Sequence, residues 1–201
     1  MVAESWDAPS DWVETNVGAL TRIIESLKKY DGLEKFVHVT TPEVYGSNSN
    51  LISENHPFNP STPYAVTRAA GDMMLQVFHE KYGLPVVFTR AANVFGPGQQ
   101  LYRIIPRVIM ACMTGDRFTL DGGGASTRSF IHIQDVCTAT LELARSAKPG
   151  DTFHISNDSF ITIRGLVEKI IKKAGKSFDE IACLGPERKG PGAFRDRTCL
   201  E

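Results

Sequence analysis

No apolar run in the 201 residues approaches the ~18 that a membrane-spanning helix requires. Charge of either sign is also scarce in excess. With 22 Lys and Arg against 23 Asp and Glu, the net charge of -1 supplies no field that would gather nucleic acid or an anionic membrane surface. Cysteine is sparse: Cys112, Cys137, Cys183 and Cys199 show no C-x-x-C spacing. A disulfide framework and a zinc ribbon are therefore not expected, and buried or incidental thiols in a reducing compartment are. His38, His56, His79 and His132 show no carboxylate partners or i, i+4 pairing in the sequence, so no metal site is expected. Met1-Val2-Ala3-Glu4-Ser5 lacks a signal-peptide pattern, and a cytoplasmic setting is the expectation. Repeats and low-complexity segments do not occur.

The remaining composition, 42% apolar and 22% charged, is that of a soluble globular protein long enough for a real core. Asp11 with Glu14 three residues on reads as a helix cap, and Val13, Val17, Leu20, Ile24 and Leu27 mark one apolar face. A strand over 35–40 follows, then a polar loop and a helix from Pro63 to Tyr82-Gly83. Pro85 to Thr89 reads as a strand, Asn93 to Gly98 as a loop, and Ile104 to Met113 as a helix ended by Gly115. Phe118–Leu120 and Ser129–Ile133 read as strands flanking Gly122-Gly123-Gly124 in a hairpin, with the triplet as its turn. A helix near 134–146, a strand at Thr152–Ile155 and a helix capped by Thr162 and running to Lys173 complete the series. Strands alternating with helices predict an α/β fold, a parallel sheet with helices on its faces. Trp6 and Trp12 are expected to pack.

Most of the chemistry lies between Phe36 and Arg68. The run Phe36-Val37-His38-Val39-Thr40 stops at Thr41-Pro42-Glu43-Val44-Tyr45-Gly46, and Thr62-Pro63 then opens a helix reading Tyr64-Ala65-Val66-Thr67-Arg68. A hydroxyl and a carboxylate at a strand end, with a phenol one helical turn before a cation, form a proton-transfer constellation. Positions i and i+4 share a helical face, so the Arg68 guanidinium is expected beside the Tyr64 hydroxyl. A free phenol titrates near ~10, and an adjacent cation in a dry site favours its ionised form.

These residues resemble the extended short-chain dehydrogenase/reductase family, in particular its nucleotide-sugar 4,6-dehydratases and epimerases. There the strand end reads Ser/Thr-Thr-Asp-Glu-Val-Tyr-Gly and the helix carries Tyr-x-x-x-Lys. The resemblance runs from about Val2 to at least Phe160 and departs at Pro42, where dehydratases place Asp, and at Arg68, where the family places Lys. It implies a partial Rossmann-like parallel sheet. Residues 1–100, with the later strands within 129–155, would be the C-terminal half of the cofactor-binding domain, and 101–201 mainly a substrate-binding region. The cofactor implied is NAD and the partner a nucleotide-diphosphate sugar. A homodimer through helices near 11–30 and 63–82 is implied as well.

The resemblance also assigns roles. Tyr64 would take the proton of the sugar hydroxyl, and Arg68 would stand for the Lys that acidifies it and holds the nicotinamide ribose. Thr41 would bond the sugar O4, and Glu43 would remove the C5 proton. Val2-Ala3-Glu4-Ser5 resembles the Ala-Ala-Glu-Ser after the family's fourth strand, which puts Ala3 near the cofactor and Ser5 near the substrate. Asn93, Arg103, Ile104 and Arg128 fall where the family contacts the nucleotide diphosphate; guanidinium meets phosphate bidentately. Pro42 has no proton to give, which leaves three readings open: 4,6-dehydration, epimerisation or decarboxylation by the same family, and a non-catalytic or partner-dependent domain.

No Gly-x-x-Gly-x-x-Gly pattern occurs in the 201 residues, so the pyrophosphate cradle at a helix N-terminus is not encoded in them. The span is expected to correspond to a family member without its first three or four βα units, stopping before the final helices, with a sheet edge that something must cover. The 201-residue chain by itself is accordingly expected to bind NAD more weakly than micromolar. Calorimetry that returned a micromolar affinity would refute this.

Overall fold

The computed structural model describes residues 2–48, 51–186 and 199–200. A 3-10 turn at Ala3–Ser5 leads into α1 (Pro9–Val13), a π-helical turn (Glu14–Ala19) and α2 (Leu20–Leu27). Then come β1 (Phe36–Val39), a 3-10 turn (Pro42–Tyr45), β2 (Leu51–Ile52), α3 (Pro63–Tyr82), β3 (Val86–Ala91), β4 (Asn93–Phe95) and α4 (Ile104–Thr114). The second half holds β5 (Phe118–Leu120), a 3-10 turn (Asp121–Gly124), β6 (Thr127–His132), α5 (Ile133–Ser146), β7 (Thr152–Ile155), β8 (Phe160–Thr162) and α6 (Ile163–Lys173). α7 (Phe178–Ile181), β9 (Ala182–Leu184) and β10 (Cys199–Leu200) follow. Among the described residues no helix is long and apolar enough to cross a membrane.

The central sheet has the order β1-β3-β7 and is parallel throughout. Successive side chains of a strand point to opposite faces. Phe36, Val86 and Phe88 lie on one face and pack with Ile24 of α2, Leu75 and Phe78 of α3, and Leu84 in the loop after α3. α5 packs along β1 and β3, and Lys35 Nζ donates to Leu143 O in its last turn at 3.4 Å and to Ala147 O just beyond its end at 2.5 Å. The expected α/β layering with a parallel sheet is thus the one observed. Two further clusters lie apart from the sheet. One gathers Val108, Phe118, Leu120, Val167, Ile171 and Ile181 from α4, β5, α6 and α7. The other joins Val44, Tyr45, Ile52 and Ala69 beneath the 3-10 turn after β1.

α3 is well specified locally. The Thr62 hydroxyl accepts from Ala65 N–H at 3.1 Å, Pro63 takes the first turn where no donor is needed, and Gly83 closes the helix in the left-handed region. Its contact with the N-terminal helices is close because Gly71 has no side chain. A Cβ there would meet Leu20 Cδ2 at 2.9 Å and Asn16 O at 3.1 Å. Asn16 Nδ2 donates to Thr67 Oγ1 across the same seam at 3.0 Å. The π turn therefore sits at the helix–helix contact that seats the start of α3.

Several local expectations are corrected. The first helix begins at Pro9, with Ala8 as its cap and Asp11 inside it. Proline's fixed φ starts a helix earlier than the capping-box pattern indicated, and Glu14 instead pairs with Arg22 at 2.6 Å. Asn93–Phe95 is a strand, paired in parallel with β6. The strand expected at Pro85–Thr89 runs on to Ala91. The glycine triplet is a turn, with Gly122, Gly123 and Gly124 at positive φ, but it closes no hairpin. β5 pairs with β9, and β6 with β4 and β8. β8, α7 and β9 went unrecognised because three- and four-residue elements carry too few side chains to show a period. Of the thiols, Cys112 packs against the α4/α6 cluster, while Cys137 and Cys183 are exposed. Arg188 and Arg195 lie outside the described residues.

Leu75→Ala is expected to lower the unfolding free energy by about 2–5 kcal/mol, since its fully buried side chain joins α2, α3 and the sheet. Met113→Ala, at a side chain 77% exposed, should change it by less than about 0.5 kcal/mol. Urea melts of the two variants check the contrast.

Candidate active site

The C-terminal end of β1 is where the candidate chemistry collects, as expected of a parallel sheet. Thr40 N–H still pairs with Thr89 O at 2.9 Å, after which the chain leaves the sheet. Thr41, extended and largely buried, caps the 3-10 turn: its Oγ accepts from Glu43 N–H at 3.3 Å. Using an acceptor lone pair for the cap leaves the hydroxyl proton for another partner. Pro42 fits the first position of the turn, where no backbone donor is required. Glu43 follows in that first turn. Gly46, at φ 68°, ends it, and a Cβ there would lie 2.2 Å from Asn59 O. Only glycine allows the loop to pass so close.

α3 packs against this turn and brings its first residues to the same strand end. An Nη of Arg68 donates to the carbonyl of Val39, the last residue of β1. Arg68 Nε is buried without a hydrogen-bond partner. The Tyr64 ring is half-buried and meets Trp12 edge-on, with centroids 5.3 Å apart. The expectation that Arg68 turns to the Tyr64 hydroxyl is therefore modified, because its hydrogen bond runs to the strand. A planar fork on a long stem spans from the helix to the β1 carbonyl, and the bond anchors α3 on the strand end. Thr41, Glu43, Tyr64 and Arg68 all lie on segments joined here.

The other expected residues divide. Asn93 and Arg128 share the sheet β4-β6-β8. Asn93 is in register with Phe130, two positions from Arg128, which puts both on one face. Asn93 Nδ2 donates to Ser129 O at 3.1 Å, and Arg128 Nη1 donates to Thr127 O at 3.0 Å. Arg103 caps α4 with its guanidinium 5.6 Å from the Tyr102 ring, and Ile104 begins the helix and packs on the α4/α6 cluster. Ser5 is fully buried, its Oγ donating to Val2 O at 2.6 Å inside the N-terminal turn. Ala3 lies in that turn, and its side chain lies outside the described residues.

A buried polar network beneath the turn was missed. Arg90, only 3% exposed, donates from Nη2 to Asp72 Oδ2 at 2.9 Å and from Nη1 to the Tyr45 hydroxyl at 2.6 Å. Tyr45 also meets His154 Nε2 at 2.9 Å and Glu54 O at 3.1 Å. One hydroxyl has one proton and two lone pairs. Donating to Glu54 O, it accepts from Arg90 and from His154, which assigns the Nε2–H form to that ring. Glu54 Oε1 in turn accepts from His154 N–H at 3.0 Å. His38, expected to have no carboxylate partner, lies with Nε2 3.3 Å from Asp72 Oδ1, off hydrogen-bond geometry.

The surroundings shift two of these groups. Burial pushes the Tyr45 phenol up, opposed by the Arg90 guanidinium, so the hydroxyl stays protonated. Burial alone would also raise Glu54. The backbone N–H of His154, its own backbone amide and the charges of His154 and Arg90 outweigh that and hold its carboxyl below the ordinary value. The signal for the network was present in the sequence. Arg90 ends the apolar run Val86-Val87-Phe88-Thr89, and Asp72 interrupts an Ala/Met/Leu helix face, both positions where an unpaired charge is rarely buried.

Known proteins share the sequence and fold of this chain. A family model described as the NAD dependent epimerase/dehydratase family matches residues 1–157. A dTDP-glucose 4,6-dehydratase of Streptomyces niveus is 32% identical over 190 residues, covering 94% of this chain and 56% of its own length. The human dTDP-D-glucose 4,6-dehydratase is 33% identical over 153 residues, 76% of this chain and 44% of its own. The crystal structure of a dTDP-glucose 4,6-dehydratase from Streptomyces venezuelae, with NAD and TYD bound, superposes with a TM-score of 0.89 at 30% identity over 100% of this chain and 61% of that one. A UDP-glucuronic acid 4-epimerase from Bacillus cereus, solved with UDP-glucuronic acid and NAD, gives 0.84 at 28% identity, covering 94% and 59%. The chain thus spans about half the length of the relatives it matches. On the match over residues 1–157 and on these relatives, the chain belongs to the NAD dependent epimerase/dehydratase family.

Proposed function

We propose that the protein carrying these residues performs NAD-dependent 4,6-dehydration of a nucleotide-diphosphate sugar, in the cytoplasm. The observation that carries this is the joint at the end of β1. There the turn bearing Thr41 and Glu43 packs on the helix that opens with Tyr64 and is tied to Val39 through Arg68. The nicotinamide end of NAD fits this place. Arg68 Nε is a buried donor without a protein partner, suited to a ribose hydroxyl oxygen, and Tyr64 and Arg68 would hold that end, with Ala3 on its near side. When bound, NAD would supply reversible acceptance of hydride, taken from the sugar C4 and given back at C6.

The chain's own residues then account for the protons. Thr41 donates to the sugar O4 with the hydroxyl proton its cap leaves over, and Tyr64 takes the proton of the C4 hydroxyl. A ketone at C4 acidifies the C5 hydrogen, which the Glu43 carboxylate removes. With proline at position 42, Glu43 itself returns that proton to the departing C6 hydroxyl, which leaves as water. A proton from solvent, delivered through Glu43, replaces the lost one at C5 as C6 receives hydride. Asn93, Arg103 and Arg128, with Ser5 and Ile104 lining the approach, would receive the sugar and its diphosphate. In this scheme residues 1–100 with strands within 129–155 serve the cofactor, and 101–201 mainly the substrate. A homodimer through helices near 11–30 and 63–82 accounts for the exposed stripe Val66, Met73 and Val77 on α3 and for exposed Val13 and Ile23 beside it.

A second reading, C4 epimerisation, is favoured by Pro42, because that reaction eliminates no water and needs no acid there. Turnover of dTDP-glucose with saturating NAD separates them, since dehydration releases a 4-keto-6-deoxy sugar and epimerisation an isomer of unchanged mass. Tyr64→Phe should lower kcat by about 10²–10⁴-fold with KM little changed. Glu43→Gln should abolish exchange of the C5 hydrogen with solvent deuterium. Arg128→Ala should instead raise KM by roughly tenfold to a hundredfold, the worth of a charge-assisted hydrogen bond. Full activity of the Tyr64 variant would end the proposal.

A further inference from the structure

The turn Pro42–Tyr45 is a single turn of four residues, too short to hold its own shape, so its geometry is imposed from outside. Val44 and Tyr45 are two of its anchors. Val44 is fully buried and accepts from Asn59 N–H at 2.9 Å through its carbonyl. Tyr45, two residues after Glu43 and 1% exposed, places its hydroxyl among Arg90, His154 and the Glu54 carbonyl. Arg90 is the hub of this arrangement. One arm of its guanidinium holds Tyr45, and the other holds Asp72, which lies one turn after Arg68 and two turns after Tyr64 on α3. One planar group therefore touches both segments that carry the candidate chemistry, while its stem is fixed in the central strand β3.

We infer that Arg90, acting through Asp72 and Tyr45, is the positioning residue that sets the Thr41/Glu43 turn against the Tyr64/Arg68 helix. It touches no substrate and does so as a brace. This rests on the catalytic reading of that joint, but the brace itself is a property of the chain that can be measured separately. A fork of two donors is required, because a lysine at position 90 would offer a point charge unable to hold both a carboxylate and a phenol in fixed relation. The Tyr45 ring also packs edge-on to Phe58 and His56, with centroids 6.0 and 5.9 Å away, so loss of the hydroxyl alone leaves the packing in place.

Tyr45→Phe tests the brace, with Val167→Ala, in the α4/α6 cluster, as a variant that loosens the fold elsewhere. Hydrogen exchange is compared at equal distance from each variant's unfolding midpoint. In Tyr45→Phe the amides of Val44, Tyr45, Gly46 and Asn59 should exchange roughly tenfold faster than in Val167→Ala, with those of α4 and α6 as slow as in the wild type. Equal exchange at the turn in the two variants overturns the proposal. Asp72→Asn, which keeps the shape and removes the charge, should reproduce the pattern and serves if Tyr45→Phe does not fold. In turnover assays the brace predicts kcat down by about tenfold or more with KM within about twofold, and Arg90→Lys no better than Tyr45→Phe. Unchanged kcat, or a change in KM alone, overturns it. Inactivity of the wild-type protein would instead refute the proposed reaction, and the exchange comparison would still decide the brace.

Discussion

The buried ion pair between Arg90 and Asp72 is the constraint on which the rest of this structure depends. Both residues are almost entirely removed from water, at 3% and 2% exposure. Each charge alone would cost several kcal/mol there, so neither is tolerable without the other. The pair survives because β3 and α3 deliver the two side chains at hydrogen-bonding distance, and because Tyr45 takes the second arm of the guanidinium. A contact that holds only in one arrangement of strand, helix and turn contributes specificity to the fold beyond any net stability. Breaking such a pair typically costs about 3–5 kcal/mol, a large share of the ~5–15 kcal/mol by which a domain of this size is stable.

What the brace supports is a division of labour at the end of β1. The strand supplies direction, the 3-10 turn lifts Thr41 and Glu43 clear of the sheet, and α3 approaches from the side with Tyr64 in its first turn. Glycine is used where a side chain would stop this: at Gly46, under the Asn59 carbonyl, and at Gly71, against the π turn. The candidate side chains Thr41, Glu43, Tyr64 and Arg68 are thereby carried on or directly beside regular elements.

The two departures from the family pattern make sense in this frame. Proline at position 42 is structurally apt, since the first residue of the turn needs no donor, and chemically costly, since it has no proton. Arginine at position 68 keeps a cation beside the strand end and, through its Nη, adds a bond to the Val39 carbonyl that anchors α3. Its Nε remains a buried donor without a hydrogen-bond partner. The chain thus retains charge and hydrogen-bonding capacity where the motif it resembles carries lysine, with a different shape.

Local information was sufficient for much of this molecule. Thr62-Pro63 and Gly83 mark α3 at both ends, Thr162 caps α6, the β-branched run names β1, and Thr41, Glu43, Tyr64 and Arg68 stand out by type and spacing. Caps, turns and periodicity are interactions between residues close in the chain, so the order of residues alone decides them. Tertiary structure decided the rest: that Asn93–Phe95 joins β6, that the glycine triplet closes no hairpin, and that Arg68 reaches for a strand. It also brought His38, Tyr45, Asp72, Arg90 and His154 into one network, over separations of up to 109 residues. Such pairs form only where packed layers exclude water and force buried polar groups to find one another, and no local pattern encodes which partner that will be.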